Sequence, residues 1–261
     1  MPNVIFPIEG GSPYPRKETP MKRIFPPMND RPGKWMPAAA LGYWLFAFWF
    51  NPFWMPLIAD GFWNDLQFAS WLDIVYHVVN ALAVTAMFKA YAWDSLLNVQ
   101  MYPGKFIKTV GIAVLLMLAL ALGLYFFPVP IAVDAYPINE MGVAVSAGVM
   151  VETLPVFGTL CHVLLTPIAV VGLFYIAGFA PMCCRKTWLG YLVVTALLIL
   201  PAAFDILWRG DAEYVVPTFL LQLPMHWIAC WSYQKADTVW APLATLSIFN
   251  LVTSLLSMFL M

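Results

Sequence analysis

Two apolar runs of membrane length end the chain, at residues 214–232 and 239–261, with a short polar link between them. A helix that crosses a bilayer needs about 20 predominantly apolar residues. The composition agrees with such a role, because 62% of the residues are hydrophobic and only 10% are charged, whereas soluble domains carry about 25% charged residues. No soluble fold of this size can bury that much apolar surface. The sequence therefore predicts an all-α polytopic membrane protein.

Proline residues and polar links divide the chain into about seven predicted spans. The apolar stretch 142–182 is too long for one span, and Pro155 and Pro167 interrupt it. We therefore predict a short helix at 142–154, on or in the membrane surface, followed by a kinked span. Residues 1–34 form a proline-rich tail without apolar periodicity. A single transmembrane domain, 35–261, contains the predicted spans 35–58, 68–88, 107–127, 156–181, 188–208, 214–232 and 239–261.

The positive charges support this number of spans. With seven spans, twelve of the thirteen lysine and arginine residues fall on one side of the membrane, and only Arg209 falls on the other. Loops on the cytoplasmic side carry an excess of such residues. The pattern predicts a cytoplasmic N-terminus and an outward C-terminus. We expect a multi-pass protein of a bacterial plasma membrane, or of another membrane that faces a cytoplasm.

Polar side chains recur at helical spacing inside the last two predicted spans, and this hairpin is the first candidate for a functional centre. Such groups are costly in lipid and normally face other helices or a wet cavity. Serine, asparagine and glutamine stripes often serve only as contacts between packed helices. The stripes are Thr218, Gln222 and His226 on the first run, and Ser247, Asn250, Ser254 and Ser257 on the second.

Further polar residues occur in the earlier predicted spans. Ser70, Asp73, His77 and Asn80 share one helical face, and Asp73 and His77 are one turn apart. Glu152 and His162 lie near the outer end of the fourth span, on either side of Pro155, and Asp205 follows Pro201 in the fifth. Asp73, His77, Asn80 and Asp205 are candidates for a polar or proton relay.

No local motif selects a chemistry. Two histidines with several carboxylates and an asparagine suffice for a hydrolytic site, yet zinc-protease, serine-hydrolase, dinucleotide and phosphate-loop motifs do not occur. We therefore expect no metal and no cofactor. The few basic residues suit membrane orientation and argue against nucleic-acid binding. The four cysteines are interpreted as buried apolar residues, with lipid modification of Cys183-Cys184 as the alternative.

The segment Phe219–Asn250 resembles the C-terminal half of the CPBP family, the CAAX-prenyl-protease and bacteriocin-processing membrane proteins also called Abi. Their pattern there is FLLGxxxGxxYxxTGSLWAxIxxHxxxN, and Tyr233, Trp240-Ala241 and Asn250 fit it, with Thr238 in place of serine. Upstream, Ala180-Pro181, Trp188 and Gly190 fit the motif APxxEExxFRG, with an aromatic residue at the phenylalanine position. The resemblance covers about the last 80 residues.

The chain departs from the family at the catalytic positions. The paired glutamates fall on Cys184 and Arg185, the arginine on Leu189 and the last histidine on Leu246. The family's middle histidine motif has no counterpart around 197–205. In the family, the glutamate is thought to activate water, while the histidines and the asparagine assist and stabilise the oxyanion. Of these groups only Asn250 is retained position for position.

Three functions remain open. The first is a catalytically degenerate relative that binds a membrane peptide or protein partner in the family's groove, lined by Asn250, His226, Gln222, Ser247 and Ser254. The second is an active intramembrane endopeptidase with a relocated site, in which Glu152 activates water and His226, His162 and Asn250 assist. The third is a small transporter or channel accessory subunit that uses the relay residues.

Overall fold

The computed structural model describes most of the chain between residues 66 and 260, and this described part is helical, with short links and no strand. Its six helices correspond to six of the predicted spans and are labelled α1 to α6 in chain order. They are α1 Leu66–Met101, α2 Pro103–Phe126, α3 Pro155–Cys183, α4 Thr187–Arg209, α5 Val215–Ala236 and α6 Trp240–Leu260. The described backbone comprises 38, 41–42, 45, 66–126, 152–183, 186–209 and 215–260; within it, the side chains of 66–69, 73, 124–126, 199, 201–209, 215–222 and 257–260 are not described.

Several predictions lie outside these residues. They concern the tail 1–34, nearly all of the span 35–58, and most of the short helix 142–154. Within the described residues, three helices are long and apolar enough to cross a membrane, namely Ser70–Met101, Pro103–Gly123 and Pro155–Cys183. Apolar helical segments at Thr187–Leu198 and Trp240–Leu256 are shorter. The chain is thus a helical protein with membrane-length apolar helices, as predicted.

Helix α1 extends well beyond its predicted end at residue 88. The predicted loop 89–106 is helical up to Met101 because it is rich in alanine and leucine and has no helix breaker before Pro103-Gly104. The exposed side chains of Trp71 and Trp93 are about 33 Å apart along the helix axis, close to the roughly 30 Å of a bilayer's hydrocarbon core. Tryptophan favours the two membrane interfaces. The last two turns of α1 therefore extend past the apolar zone.

Helix α3 is the centre of the bundle and contains two π-helical segments. They span Cys161–Leu165 and Val171–Phe179, and Thr166-Pro167 lies between them. The predicted interruption by Pro167 thus takes the form of altered winding within a continuous helix. Nearly every side chain from Ala169 to Ala180 is buried. The core packs around this segment from α1, α4 and the α5–α6 hairpin.

Close packing around α3 depends on glycine. A Cβ atom added at Gly172 would lie 1.9 Å from Val84 Cγ1 of α1, and one added at Gly190 would lie 2.8 Å from Phe179 Cδ2. Small residues of this kind let membrane helices approach closely. Gly172 therefore sets the distance between α1 and α3.

Contacts between helix ends show that successive helices run in alternating directions. The start of α1 meets the start of α3 through Ser70 and Thr153. The end of α1 meets the end of α5, and the start of α4 meets the end of α5 through Tyr191 and Gln234. The exposed lysines Lys105, Lys186 and Lys235 consequently belong to one end of the bundle, as the predicted charge asymmetry requires.

Candidate functional site

The polar stripes predicted on α1 and α6 meet along one side of α3, where these two helices pack against it. α1 contributes His77 and Asn80, each 1% exposed, and α6 contributes Asn250 and Ser254, which are 9% and 7% exposed. α3 contributes Thr166, one helical turn after His162. We call this region the α1–α3–α6 junction.

Asn250 binds the backbone of α3 directly. Its Nδ2 donates a hydrogen bond to the carbonyl oxygen of His162 at 2.8 Å. α3 is π-wound here, and the Thr166 amide donates to the carbonyl of Cys161, five residues earlier. In that pattern the next amide, at position 167, would reach His162, but Pro167 has no N–H. The side chain of Asn250 therefore supplies the donor that the proline removes.

His77 occupies the same junction from α1. Its Nδ1 lies 3.5 Å from Thr166 Oγ1, at the limit of a hydrogen bond, and its imidazole is close enough to that of His162 for an electrostatic interaction. Its Nε2 is buried and has no hydrogen-bond partner among the described residues. The hydroxyl of Ser247, one turn before Asn250, is likewise buried and unpartnered within the described part of the chain. The junction thus contains polar atoms that the described side chains of α1, α3 and α6 do not satisfy.

His226 belongs to a different contact. It is 2% exposed, its Nδ1 lies 2.6 Å from the hydroxyl of Tyr175 on α3, and its ring packs edge-on against Phe174 and Tyr175. Tyr175 lies thirteen residues after His162, which is about 15–20 Å along α3. The predicted functional residues therefore engage α3 at two separate levels.

The predicted catalytic set is only partly brought together. Asn250 contacts His162 through the backbone, whereas His226 binds Tyr175 and Glu152 is exposed at the start of α3. The relocated peptidase site stays a prediction, since no described carboxylate–imidazole contact supports it. Of the proposed relay, His77 and Asn80 share the junction. The side chains of Asp73, Asp205 and Gln222 lie outside the described residues.

The α5–α6 link is held by the end of α1. Ser95 Oγ lies 2.8 Å from Thr238 Oγ1 and accepts a hydrogen bond from the Val239 amide at 2.9 Å. Asn98 Nδ2 donates to the Asp237 carbonyl at 2.6 Å, and Trp240 Nε1 donates to the Ala92 carbonyl at 2.9 Å. These bonds fix the turn of the hairpin to α1.

Sequence reasoning missed Tyr175, Ser95 and Asn98 as partners of the hairpin. Tyr175 lies inside an uninterrupted apolar run, where a buried tyrosine hydroxyl needs a hydrogen-bond partner, and that need was the available signal. Ser95 and Asn98 were assigned to a loop, which concealed that they follow Tyr91 at helical spacing. The hydroxyl of Tyr91 bonds to that of Tyr233.

The described cysteines Cys161, Cys183 and Cys230 are buried and form no disulfide with one another. This confirms their prediction as buried apolar residues, while Cys184 lies outside the described part. In that part, no group of three or more His, Cys, Asp or Glu side chains is placed to hold a metal ion. No protein-family model, curated protein or solved structure matches the chain.

Proposed function

We propose that this chain is a catalytically degenerate relative of the CPBP membrane proteases that binds a membrane peptide or protein partner. In this proposal it has seven spans with a cytoplasmic N-terminus. The alternating helices and the lysines grouped at one end of the bundle support that topology.

The proposal rests on what the residues that fit the family pattern do in the structure: they hold helices together. Tyr233 is 1% exposed and bonds to Tyr91, and Thr238 and Trp240 bond to the end of α1. Asn250 replaces the helix donor lost at Pro167. These four positions therefore stabilise the fold.

The catalytic positions, in contrast, lack the reactive side chains or contacts that catalysis needs. Leu246, where the family has a histidine, is 8% exposed and packs in the main hydrophobic core. Glu152, the carboxylate of the relocated site, is exposed, whereas a water-activating group must lie within hydrogen-bond reach of its partners. A fold kept without its reactive groups suits a binding role.

The test is photocrosslinking in native membranes. A photoreactive residue replaces Leu251, which is 40% exposed on α6 beside the predicted groove, and a control replaces Leu82, 65% exposed on α1. We expect a discrete crosslinked partner at Leu251 that is absent at Leu82. Glu152→Gln should leave both the crosslink and the length of the partner unchanged.

Two results would contradict the proposal. If the two positions crosslink equally, or neither crosslinks, the hypothesis that α6 binds a partner is wrong. A partner that is shortened by the wild-type protein but stays intact with Glu152→Gln would establish the peptidase instead.

A further inference from the structure

The Nε2 atom of His77 is one of the buried polar atoms that the described contacts leave unsatisfied. The side chain is 1% exposed, and its other ring nitrogen faces Thr166. Nε2 has no partner among the described residues. An unsatisfied polar group in the hydrocarbon region costs several kcal/mol, and buried polar groups nearly always have a partner. Among the described side chains, this atom therefore lacks the partner that a buried polar group requires.

Ser247 places a second unpartnered atom at the same level. α6 runs antiparallel to α3, and Asn250 lies opposite His162. Because the two helices are antiparallel, moving three residues back along α6 covers the same distance as moving three or four residues forward along the π-wound part of α3. Ser247 therefore lies opposite the turn that holds Thr166, the residue that His77 contacts. Its Oγ is buried and unpartnered in the described structure, and it lies on the helical face of Asn250.

The chemistry of these atoms defines what they bind. A neutral imidazole has one donor and one acceptor nitrogen, and a hydroxyl both donates and accepts. A ligand that joins them needs donor and acceptor capacity in a small volume. Water and the hydroxyl group of a lipid share this property.

We propose that the α1–α3–α6 junction is a binding site for a small neutral hydroxylic ligand that bridges His77 Nε2 and Ser247 Oγ. The site lies at a different level of α3 from the Tyr175–His226 contact. It does not depend on the function proposed above, because it requires neither a partner nor a reaction.

The test is solid-state NMR of the wild-type protein in lipid bilayers, with 15N-labelled histidine and magnetisation transferred either from water or from lipid protons. The chain has three histidines, and single substitutions assign their signals. His226 is the internal control, since it is as deeply buried as His77 but binds Tyr175. We expect transfer to His77 to build up several-fold faster than transfer to His226.

The source of the magnetisation identifies the ligand. Rapid transfer from water supports the site with bound water, and rapid transfer from lipid hydroxyl protons supports it with a lipid. In either case Ser247→Ala should slow the transfer to His77 and leave His226 unchanged. If magnetisation reaches His77 no faster than it reaches His226 in both experiments, the proposal is wrong.

Discussion

Replacing Asn250 tests whether this residue is structural or catalytic. Asn250→Leu keeps a similar volume but removes the donor to the His162 carbonyl. A hydrogen bond between membrane helices contributes on average about 0.6 kcal/mol and at most about 1.7, and a buried acceptor left without a donor costs about 1–3. We expect a loss of about 1 kcal/mol in the free energy of unfolding, roughly a fivefold change in the folded-to-unfolded ratio.

The second substitution makes the reasoning specific. Pro167→Ala restores an N–H at the position from which the π-helical pattern would reach the His162 carbonyl. In that background Asn250→Leu should cost close to nothing. The double-mutant cycle should therefore show a coupling of about 1 kcal/mol between Asn250 and Pro167.

The assay is reversible unfolding of the four proteins in one lipid–detergent mixture. Thr253→Val is the matched control on α6, because the described hydrogen bonds of the Thr253 hydroxyl go to carbonyls of its own helix. Its effect should stay within about 0.5 kcal/mol. An equal cost of Asn250→Leu with and without Pro167 would refute the backbone role. If Asn250 were catalytic, Asn250→Leu would instead reduce activity both with Pro167 and with Ala at position 167.

Two further predictions concern packing and the second polar contact. Gly172→Ala should lower the free energy of unfolding by about 1–3 kcal/mol through overpacking against Val84. In the control, Gly111→Ala, the added Cβ meets open space, so this change should be neutral or stabilising by up to about 1 kcal/mol. Equal melting temperatures of the two variants would contradict the close approach of α1 and α3. Tyr175→Phe should cost about 1–3 kcal/mol because it removes the hydroxyl that is hydrogen-bonded to His226 Nδ1. Adding His226→Leu should recover part of that loss; a double variant less stable than Tyr175→Phe alone in the unfolding assay would contradict this pairing.

The sequence predicted the helical architecture well because apolar length and proline positions act locally. Six predicted spans correspond to described helices whose bounds mostly differ by a few residues. The exception is α1, which was predicted to end at residue 88, just before Lys89, but continues to Met101. A single lysine at a membrane interface extends its charge toward water without ending the helix, and Trp93 marks that interface four residues later.

The site was predicted less completely because hydrogen-bond pairing between helices depends on rotation and depth. The stripes on α1 and α6 were identified from spacing, and both converge on α3 as polar residues in a membrane should. The pairing of His226 with Tyr175, and of Asn250 with a backbone carbonyl, required the three-dimensional arrangement. His226 and Asn250 were also predicted to share one groove or site, although they bind α3 at different levels.

Whether a polar group has a hydrogen-bond partner in the described structure distinguishes structural polar residues from candidates for function. A polar side chain that completes another helix's backbone, as Asn250 does, is accounted for by the fold. The same holds for His226, whose described partner is a buried tyrosine. His77 is different, because its contact with Thr166 leaves Nε2 unsatisfied within the described residues. Since the described contacts do not account for that atom, the α1–α3–α6 junction is where a ligand should be sought first, whether the protein proves to be a binding relative or a relay.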